Sequence, residues 1–201
     1  MIAIIDYDAG NIASVLKAFE KLGCEVRLTR EPSEILSADK IVLPGVGAFG
    51  DAMGKLENYW LVSVIKEAVS LGKPFLGICL GLQLIFDSSE ESPGVKGLSL
   101  LPGKIVRIPD TEGLKIPHIG WNDLTVTEGS RLLSGTGEHP YVYFVHSYYL
   151  QAENKSDVAA TTEYGTLIHA AVESGNIYAT QFHPEKSGDV GLRILKNFAE
   201  I

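Results

Sequence analysis

The chain has 201 residues, of which 45% are hydrophobic and 21% charged, with a formal net charge of -8 at pH 7. This is a globular composition, and the negative charge argues against a general binder of nucleic acids or anionic membranes. No linker, repeat or low-complexity segment divides the sequence, so we predict a single domain over residues 1–201.

The first 86 residues alternate strand-like and helix-like segments. Strands are predicted where short apolar runs occur, at residues 2–6, 25–28, 41–43 and 75–78. Helices are predicted where apolar residues recur on one helical face, at residues 12–22 and 61–68, with a turn at 7–11 and a short helix near Ser33. Such alternation predicts a parallel sheet covered on both faces, with an active site at the carboxyl ends of its strands.

The remaining residues predict an antiparallel section. An acidic loop spans residues 87–94, and strand-like runs separated by turn signals extend from residue 98 to about 182. The marked features are hairpin turns at Pro102-Gly103 and Gly175-Asn176, a long β-branched and aromatic run from Tyr141 to Leu150, and a closing helix from Val190 to Ile201. The predicted fold class is three-layer α/β: a mostly parallel central sheet, helices on both faces and an added antiparallel section.

The start of the chain and its cysteines indicate the compartment. Residues 1–6 open directly into a strand-like run with no basic leader, and no apolar stretch reaches the length of a membrane span. The two cysteines, Cys24 and Cys79, do not make a disulfide framework. We therefore predict a cytoplasmic protein that does not associate with membranes.

Cys79 lies in a Gly-x-Cys-x-Gly sequence between an apolar strand-like run and an apolar helix-like run. This is the layout of a nucleophile elbow, in which Gly77 and Gly81 have no room for side chains. The amino-terminal end of the following helix would favour the nucleophilic thiolate. The alternative is a buried structural cysteine.

A cysteine nucleophile needs a base, and the sequence offers five histidines: His118, His139, His146, His169 and His183. His183 is followed by Pro184 and Glu185. In an extended segment residues two apart project to the same side, so Glu185 can orient His183. The alternative is a solvated ion pair at a strand end. Taken with Cys79, the pair predicts a Cys-His-Glu catalytic triad.

Amide cleavage through a tetrahedral intermediate also needs donors for the oxyanion. The backbone N–H of Leu80, directly after the nucleophile, is one candidate. Val46 is the other, because Gly45 and Gly47 on either side let its peptide turn at little steric cost. An ordinary Pro-Gly turn is the alternative interpretation of this loop.

The segments Gly77–Gln83 and Phe182–Glu185 resemble the triad (class I) glutamine amidotransferases over nearly the whole chain, which implies their flavodoxin-like fold. Within that family, residues 44–53, 116–122 and 182–187 resemble the glutaminase subunits of imidazole glycerol phosphate synthases. The stretch Pro117-His118-Ile119-Gly120-Trp121-Asn122 is the most specific match.

The resemblance implies a role for each matched position. Cys79 would form a glutamyl thioester, His183 would act as general base and acid, and Glu185 would orient it, with Val46 and Leu80 as oxyanion donors. The substrate glutamine would be held by a further set: Gly47, Gln83, Glu91, His146, Ser147 and Tyr148. Neither a metal nor a cofactor is implied.

The resemblance also implies a partner. Glutamine hydrolysis alone wastes ammonia, and the family supplies a (β/α)8-barrel cyclase subunit that uses it to make imidazole glycerol phosphate and the aminoimidazole carboxamide nucleotide in histidine biosynthesis. We predict a heterodimer, with Trp121, Tyr143 and Lys186 on the docking face.

Three other interpretations stay open. One is the glutaminase subunit of another synthase, for anthranilate or pyridoxal phosphate, which the segment from residue 116 to 122 argues against. A peptidase or redox sensor with the same elbow is the second, and it has no need of Gln83. A regulatory subunit without catalysis is the third, and labelling of Cys79 by a glutamine-like electrophile would exclude it.

Overall fold

The computed structural model of the chain describes residues 1–8 and 12–201. Part of the turn predicted over residues 7–11 therefore lies outside the described residues. The strands that the structure describes are β1 Ile2–Ile5, β2 Val26–Thr29, β3 Lys40–Gly45, β4 Phe75–Cys79, β5 Ser88–Ser89, β6 Gly103–Arg107, β7 His118–Asp123, β8 Thr125–Val126, β9 Tyr141–His146, β10 Tyr148–Ala152, β11 Val158–Glu163, β12 Leu167–Ser174 and β13 Ile177–Thr180. The α-helices are α1 Ile12–Lys21, α2 Pro32–Ser37, α3 Phe49–Asn58, α4 Leu61–Ser70, α5 Leu80–Leu84 and α6 Gly188–Glu200, and short 3-10 helices span Lys155–Asp157 and Pro184–Lys186.

A parallel sheet in the order β2-β1-β3-β4-β13 forms the centre of the molecule. Its register aligns Gly45 with Cys79 and Ile78 with Thr180. The carboxyl ends of β3, β4 and β13 therefore meet at one edge of the sheet. The predicted parallel sheet of β1 to β4 is confirmed, and β13, expected in the antiparallel section, joins it parallel to β4. Residues 46, 79 and 183 therefore lie at one edge of the sheet.

Helices cover both faces of this sheet, as the fold class requires. Along each strand the side chains alternate between two hydrophobic clusters, because successive residues point to opposite faces. Ile5, Leu43 and Phe75 pack with α2, α3, α4 and α5 on one side. Ile4 and Val42 pack with α1 and α6 on the other. The predicted three-layer arrangement is confirmed.

Helix α3 is an element that the sequence pattern did not predict. Its first two free N–H groups are satisfied from the acidic loop: Phe49 N donates to Glu91 Oε2 at 2.7 Å and Gly50 N donates to Ser92 Oγ at 2.9 Å. Helices usually carry this cap just before their first turn. Here the cap is distant in sequence, so no local signal marks where α3 begins.

The antiparallel section extends the same sheet through β12, β10 and β6. The predicted hairpin at Gly175-Asn176 is confirmed, since this turn joins β12 to β13. The predicted hairpin at Pro102-Gly103 is wrong, because β6 begins at Gly103 and runs parallel to β5. A Cβ atom at Gly103 would lie 2.9 Å from the carbonyl oxygen of Gln151, so the glycine allows close approach of β10.

The run from Tyr141 to Leu150 is two strands and not one. It breaks at Ser147, where β9 ends and β10 begins. Strand β10 belongs to the main sheet, whereas β9 pairs with β7 in a separate two-stranded sheet. The inward face of β9 carries the buried residues Val142, Phe144 and His146. This small sheet forms one wall beside the carboxyl ends of β3 and β4.

Two further observations apply to the described residues. None of their helices is long and apolar enough to span a membrane. No group of three or more histidine, cysteine, aspartate or glutamate side chains among them is arranged to hold a metal ion.

Candidate active site

Strand β4 passes directly into helix α5 at Cys79, as the elbow pattern predicts. Cys79 has φ 56° and ψ -108°, a backbone conformation that is unusual for a residue with a side chain. A Cβ atom at Gly77 would lie 2.6 Å from the Gly81 carbonyl oxygen, and one at Gly81 would overlap the Leu43 carbonyl oxygen. The glycines thus allow the strand and helix to touch, which fixes Cys79 at the tip.

Helix α5 is shorter than the apolar run after Cys79 predicts. It has 5 residues, because the chain beyond Leu84 forms other backbone hydrogen bonds. Leu98 N donates to the Leu84 carbonyl and Leu100 N to the Ile85 carbonyl, both at 2.8 Å. So short a helix has only a small dipole at its amino-terminal end.

The Cys79 sulfur is buried, with two polar groups at its side. Its Sγ lies 4.0 Å from the Val145 carbonyl oxygen and 3.9 Å from Nε2 of Gln181. Gln181 is fully buried and is a site residue that the sequence analysis missed. The available signal was its position two residues before His183 in an extended segment, which directs both side chains to one side.

His183 and Glu185 form a buried pair next to Cys79. Nδ1 of His183 donates to Oε1 of Glu185 at 2.8 Å, and the two side chains are 2% and 1% exposed. The alternative of a solvated pair is therefore excluded. Among the described residues, Nε2 of His183 has no hydrogen-bond partner of ordinary geometry. The side chain of Cys79 is nevertheless near enough to raise the pKa of His183.

The pKa of His183 is raised to about 9. Burial opposes this shift, because it disfavours the charged ring, but hydrogen bonding and charge interactions with Cys79 and Glu185 outweigh the burial. His183 therefore carries a positive charge at neutral pH. A cationic imidazole beside a cysteine sulfur is the arrangement that supports thiolate chemistry.

The loop after β3 brings Val46 beside Cys79. Gly45 pairs with Cys79 in the sheet, and the Tyr7 hydroxyl donates to the Pro44 carbonyl at 2.9 Å. Gly47 has φ 103°, a conformation that only glycine adopts without strain. The Tyr7 hydroxyl therefore holds this loop at Pro44, and Val46 beyond it is 38% exposed.

A pocket of about 310 Å³ opens beside Cys79 and His183. All the residues predicted to bind the substrate line it, together with both predicted oxyanion donors: Val46, Gly47, Leu80, Gln83, Glu91, His146, Ser147 and Tyr148. Glu185 is the triad position that does not line it and lies behind His183.

Gln83 and Glu91 use some of their polar atoms in contacts within the protein. Gln83 is buried, and its Nε2 donates to the Tyr148 carbonyl at 3.1 Å and to Oε1 of Gln181 at 3.2 Å. Glu91 uses Oε2 to cap helix α3. Within residues 1–8 and 12–201, Oε1 of Gln83 and Oε1 of Glu91 have no hydrogen-bond partner, so both atoms are left for a ligand.

The outer face of the two-stranded sheet carries Trp121 and Tyr143, and Lys186, from the short 3-10 helix Pro184–Lys186, lies beside them. Trp121 lies opposite Tyr143 in the register, with ring centroids 6.1 Å apart. Nζ of Lys186 lies 5.9 Å from the centroid of the Tyr143 ring. Trp121 is 55% exposed, and the exposed Ile119 and Tyr141 extend the same face. The structure thus brings the three together in one partly apolar surface, which we call the outer face.

Comparison with known proteins agrees with this geometry. A parallel α/β sheet with a cysteine elbow beside a buried His–Glu pair is the arrangement of a thiol-dependent enzyme, and the family described as "Glutamine amidotransferase class-I" matches residues 3–201. The chain therefore belongs to the class-I glutamine amidotransferase family.

The relatives of the chain indicate one group of proteins within this family. The chain is 55% identical to the imidazole glycerol phosphate synthase subunit HisH of Methanothermobacter thermautotrophicus, over 100% of this chain and 98% of that protein. It is 51% identical to the HisH subunit of Syntrophotalea carbinolica, over 100% of both. A solved structure described as a glutamine amidotransferase superposes with a TM-score of 0.77 at 20% identity, covering 99% of this chain and 100% of that one, which supports the fold.

Proposed function

We propose that residues 1–201 form one glutamine amidotransferase domain, the glutaminase subunit of an imidazole glycerol phosphate synthase. The observation that carries this proposal is a single pocket that holds Cys79 and His183 together with polar groups suited to an amino acid. The HisH relatives, similar over the whole chain, support the choice of synthase.

The first half of the reaction uses the charged His183. The Cys79 thiolate attacks the side-chain amide carbon of glutamine, and the carbonyl oxygen becomes an oxyanion. The N–H groups of Val46 and Leu80 are our candidates to bind that oxygen. His183 then gives its Nε2 proton to the amide nitrogen, the carbon–nitrogen bond breaks, and ammonia leaves a glutamyl thioester on Cys79.

The second half releases glutamate. His183, now neutral, takes a proton from a water molecule as that water attacks the thioester carbon. The carbon–sulfur bond breaks and restores the thiolate of Cys79 and the charged imidazole. Glu185 stabilises the positive ring in both halves through the bond at Nδ1, and so directs proton transfer to Nε2.

The other end of glutamine carries an ammonium and a carboxylate. We assign the ammonium to Oε1 of Glu91 and to Oε1 of Gln83, because these lining atoms accept hydrogen bonds. The backbone at Ser147 and Tyr148 is our candidate for the carboxylate, since N–H groups donate to anions. Gly47 and His146 complete the walls of the pocket.

Ammonia released in water at neutral pH becomes unreactive ammonium, so a partner must receive it directly. The partner that we propose is a (β/α)8-barrel cyclase, which would bind the outer face formed by Trp121, Tyr143 and Lys186. An exposed tryptophan with a neighbouring tyrosine is a typical anchor in protein interfaces, and Lys186 lies beside the tyrosine ring.

The test is glutamate release from glutamine by the purified chain, alone and with the cyclase subunit carrying its nucleotide substrate or a product analogue. Stimulation by the loaded cyclase is expected, and Cys79→Ala should abolish glutamate release while the complex still forms. Activity that does not respond to the cyclase would contradict the choice of partner. Absence of activity in both mixtures would contradict the enzyme and favour a regulatory subunit.

A further inference from the structure

His118 and His146 form a buried histidine pair behind the pocket wall. They lie opposite each other in the β7–β9 register, and the distance from Nδ1 of His118 to Nε2 of His146 is 3.1 Å. The His118 ring is stacked between two aromatic rings, with centroids 4.7 Å from Phe144 and 3.9 Å from Tyr164. His118 is 2% exposed, so this placement is fixed by packing as well as by the hydrogen bond.

The partners of His146 determine the hydrogens on both rings. Nδ1 of His146 lies 2.9 Å from the carbonyl oxygen of Tyr148, which can only accept a hydrogen bond. Nδ1 of His146 therefore carries the hydrogen, and in the neutral ring its Nε2 accepts. His118 must then donate from Nδ1. Burial supports the neutral forms, because it lowers the pKa of His118 to about 4 and that of His146 to about 3.

This chain of hydrogen bonds ends at a backbone group in the pocket wall. The Tyr148 carbonyl accepts from Nδ1 of His146 and also from Nε2 of Gln83, at 2.9 Å and 3.1 Å. Two donors from different elements thus set the direction of one carbonyl. The other tautomer of His146 would place a lone pair against that oxygen and repel it.

We propose that His118 is a positioning residue for glutamine: its Nδ1–H holds His146 in the tautomer that fixes the Tyr148 carbonyl, and with it the Ser147–Tyr148 backbone. This inference rests on the proposed glutaminase function, because that backbone is our candidate for the substrate carboxylate. His118 does not line the pocket and touches no reacting group. Its effect must therefore appear in substrate binding more than in the chemical step.

Two variants of His118 separate the effect of its hydrogen-bond donor from the effect of its stacked ring. His118→Phe keeps a ring between Phe144 and Tyr164 and removes the donor. His118→Asn gives up the stack but places its Nδ2–H where Nδ1–H of His118 stood. Glutaminase kinetics with the cyclase present should show KM for glutamine about tenfold higher in His118→Phe, with kcat changed less than about threefold. His118→Asn should recover most of the loss in KM.

A second measurement determines the tautomer of His146 directly. Nitrogen NMR of protein labelled with ¹⁵N-histidine distinguishes a protonated from an unprotonated Nδ1 in His146. The wild-type chain should show Nδ1–H at His146, His118→Asn should keep it, and His118→Phe should show loss or mixing of this form. The rate of Cys79 alkylation by iodoacetamide reports whether each variant retains the folded site.

Three outcomes would overturn the inference: an unchanged KM in His118→Phe, an unchanged His146 tautomer in that variant, or equal impairment of His118→Asn and His118→Phe. Failure of the proposed function is distinguishable from these. If the wild-type chain releases no glutamate with the loaded cyclase, both the function and the effect on KM are wrong, whereas the NMR spectra still show whether His118 sets the His146 tautomer.

Discussion

Nδ1 of His183 donates to Oε1 of Glu185 at 2.8 Å, and the two side chains are 2% and 1% exposed. The charged form of the imidazole is thus stabilised from the side away from the pocket. Oε2 of Glu185 has no hydrogen-bond partner among the described residues. The hydrogen bond that the structure shows for this carboxylate is the one from Nδ1 of His183 to Oε1. Two predictions depend on this pair.

The first concerns activity against pH. Because the pKa of His183 is about 9, kcat/KM for glutamine should fall above that pH, where the proton for the leaving ammonia is lost. Glu185→Gln removes a charge that raises this pKa, so the falling limb should move down by about one pH unit or more. Lys196→Ala, on the exposed surface of α6, is the control. A falling limb that stays in place would contradict the role of Glu185.

The second concerns stability. The pKa of His183 is higher in the folded chain than the ordinary value of 6.5, so its contribution is fully present below pH 6.5 and is lost as the pH rises through about 9. The contribution is about 3 kcal/mol at most. Urea unfolding at pH 6.5 and 9.5 should show a fall in the free energy of unfolding that His183→Gln reduces. An equal fall in the two proteins would refute the prediction.

The third tests the packing of the elbow. Gly81→Ala would place its methyl group on the Leu43 carbonyl oxygen, so the free energy of unfolding should drop by about 3 kcal/mol. Gly54→Ala is a matched control, because the residue is inside α3 and its added methyl group would meet no atom within 4 Å beyond its chain neighbours and the backbone of its own helix. It should stabilise the chain by roughly 0.5–1 kcal/mol. Equal effects of the two substitutions would show that steric contact does not shape the turn.

The fourth tests the outer face. Trp121→Ala should weaken binding of the cyclase about tenfold or more in a calorimetric titration, because a large exposed ring is lost from the proposed contact. Trp60→Ala provides the comparison, since Trp60 is 79% exposed on a different element and should not change the affinity. Loss of binding in the Trp60 variant alone would place the partner elsewhere.

Most of the parallel sheet could be predicted from local sequence. Apart from the partly exposed β2, its strands are short, mostly buried runs, and the carboxyl ends of parallel strands share one edge. Residues Cys79, His183 and Val46 therefore come together from positions that a reader of the sequence can identify. The glycine spacing around Cys79 predicts the turn because it reflects contact between backbones.

What could not be predicted depends on contacts between distant segments. Helix α3 receives its caps from Glu91 and Ser92, and Gly103 approaches β10 where a turn is expected. The local sequence indicates the direction of the Gln181 side chain, but its contact with Cys79 and the stacking of His118 between Phe144 and Tyr164 depend on segments that are distant in the sequence. Such side chains have ordinary sequence surroundings, and only the assembled sheet shows what they touch.

Ser147 alone separates β9 from β10, and this has a consequence for engineering the chain. One inserted residue there would turn the following strand over, moving buried Leu150 outward and exposed Gln151 inward. The segment from Gly137 to His139 lies exposed before β9. A tag or fluorescent reporter should therefore be inserted in that segment, where extra length leaves the alternation of both strands unchanged.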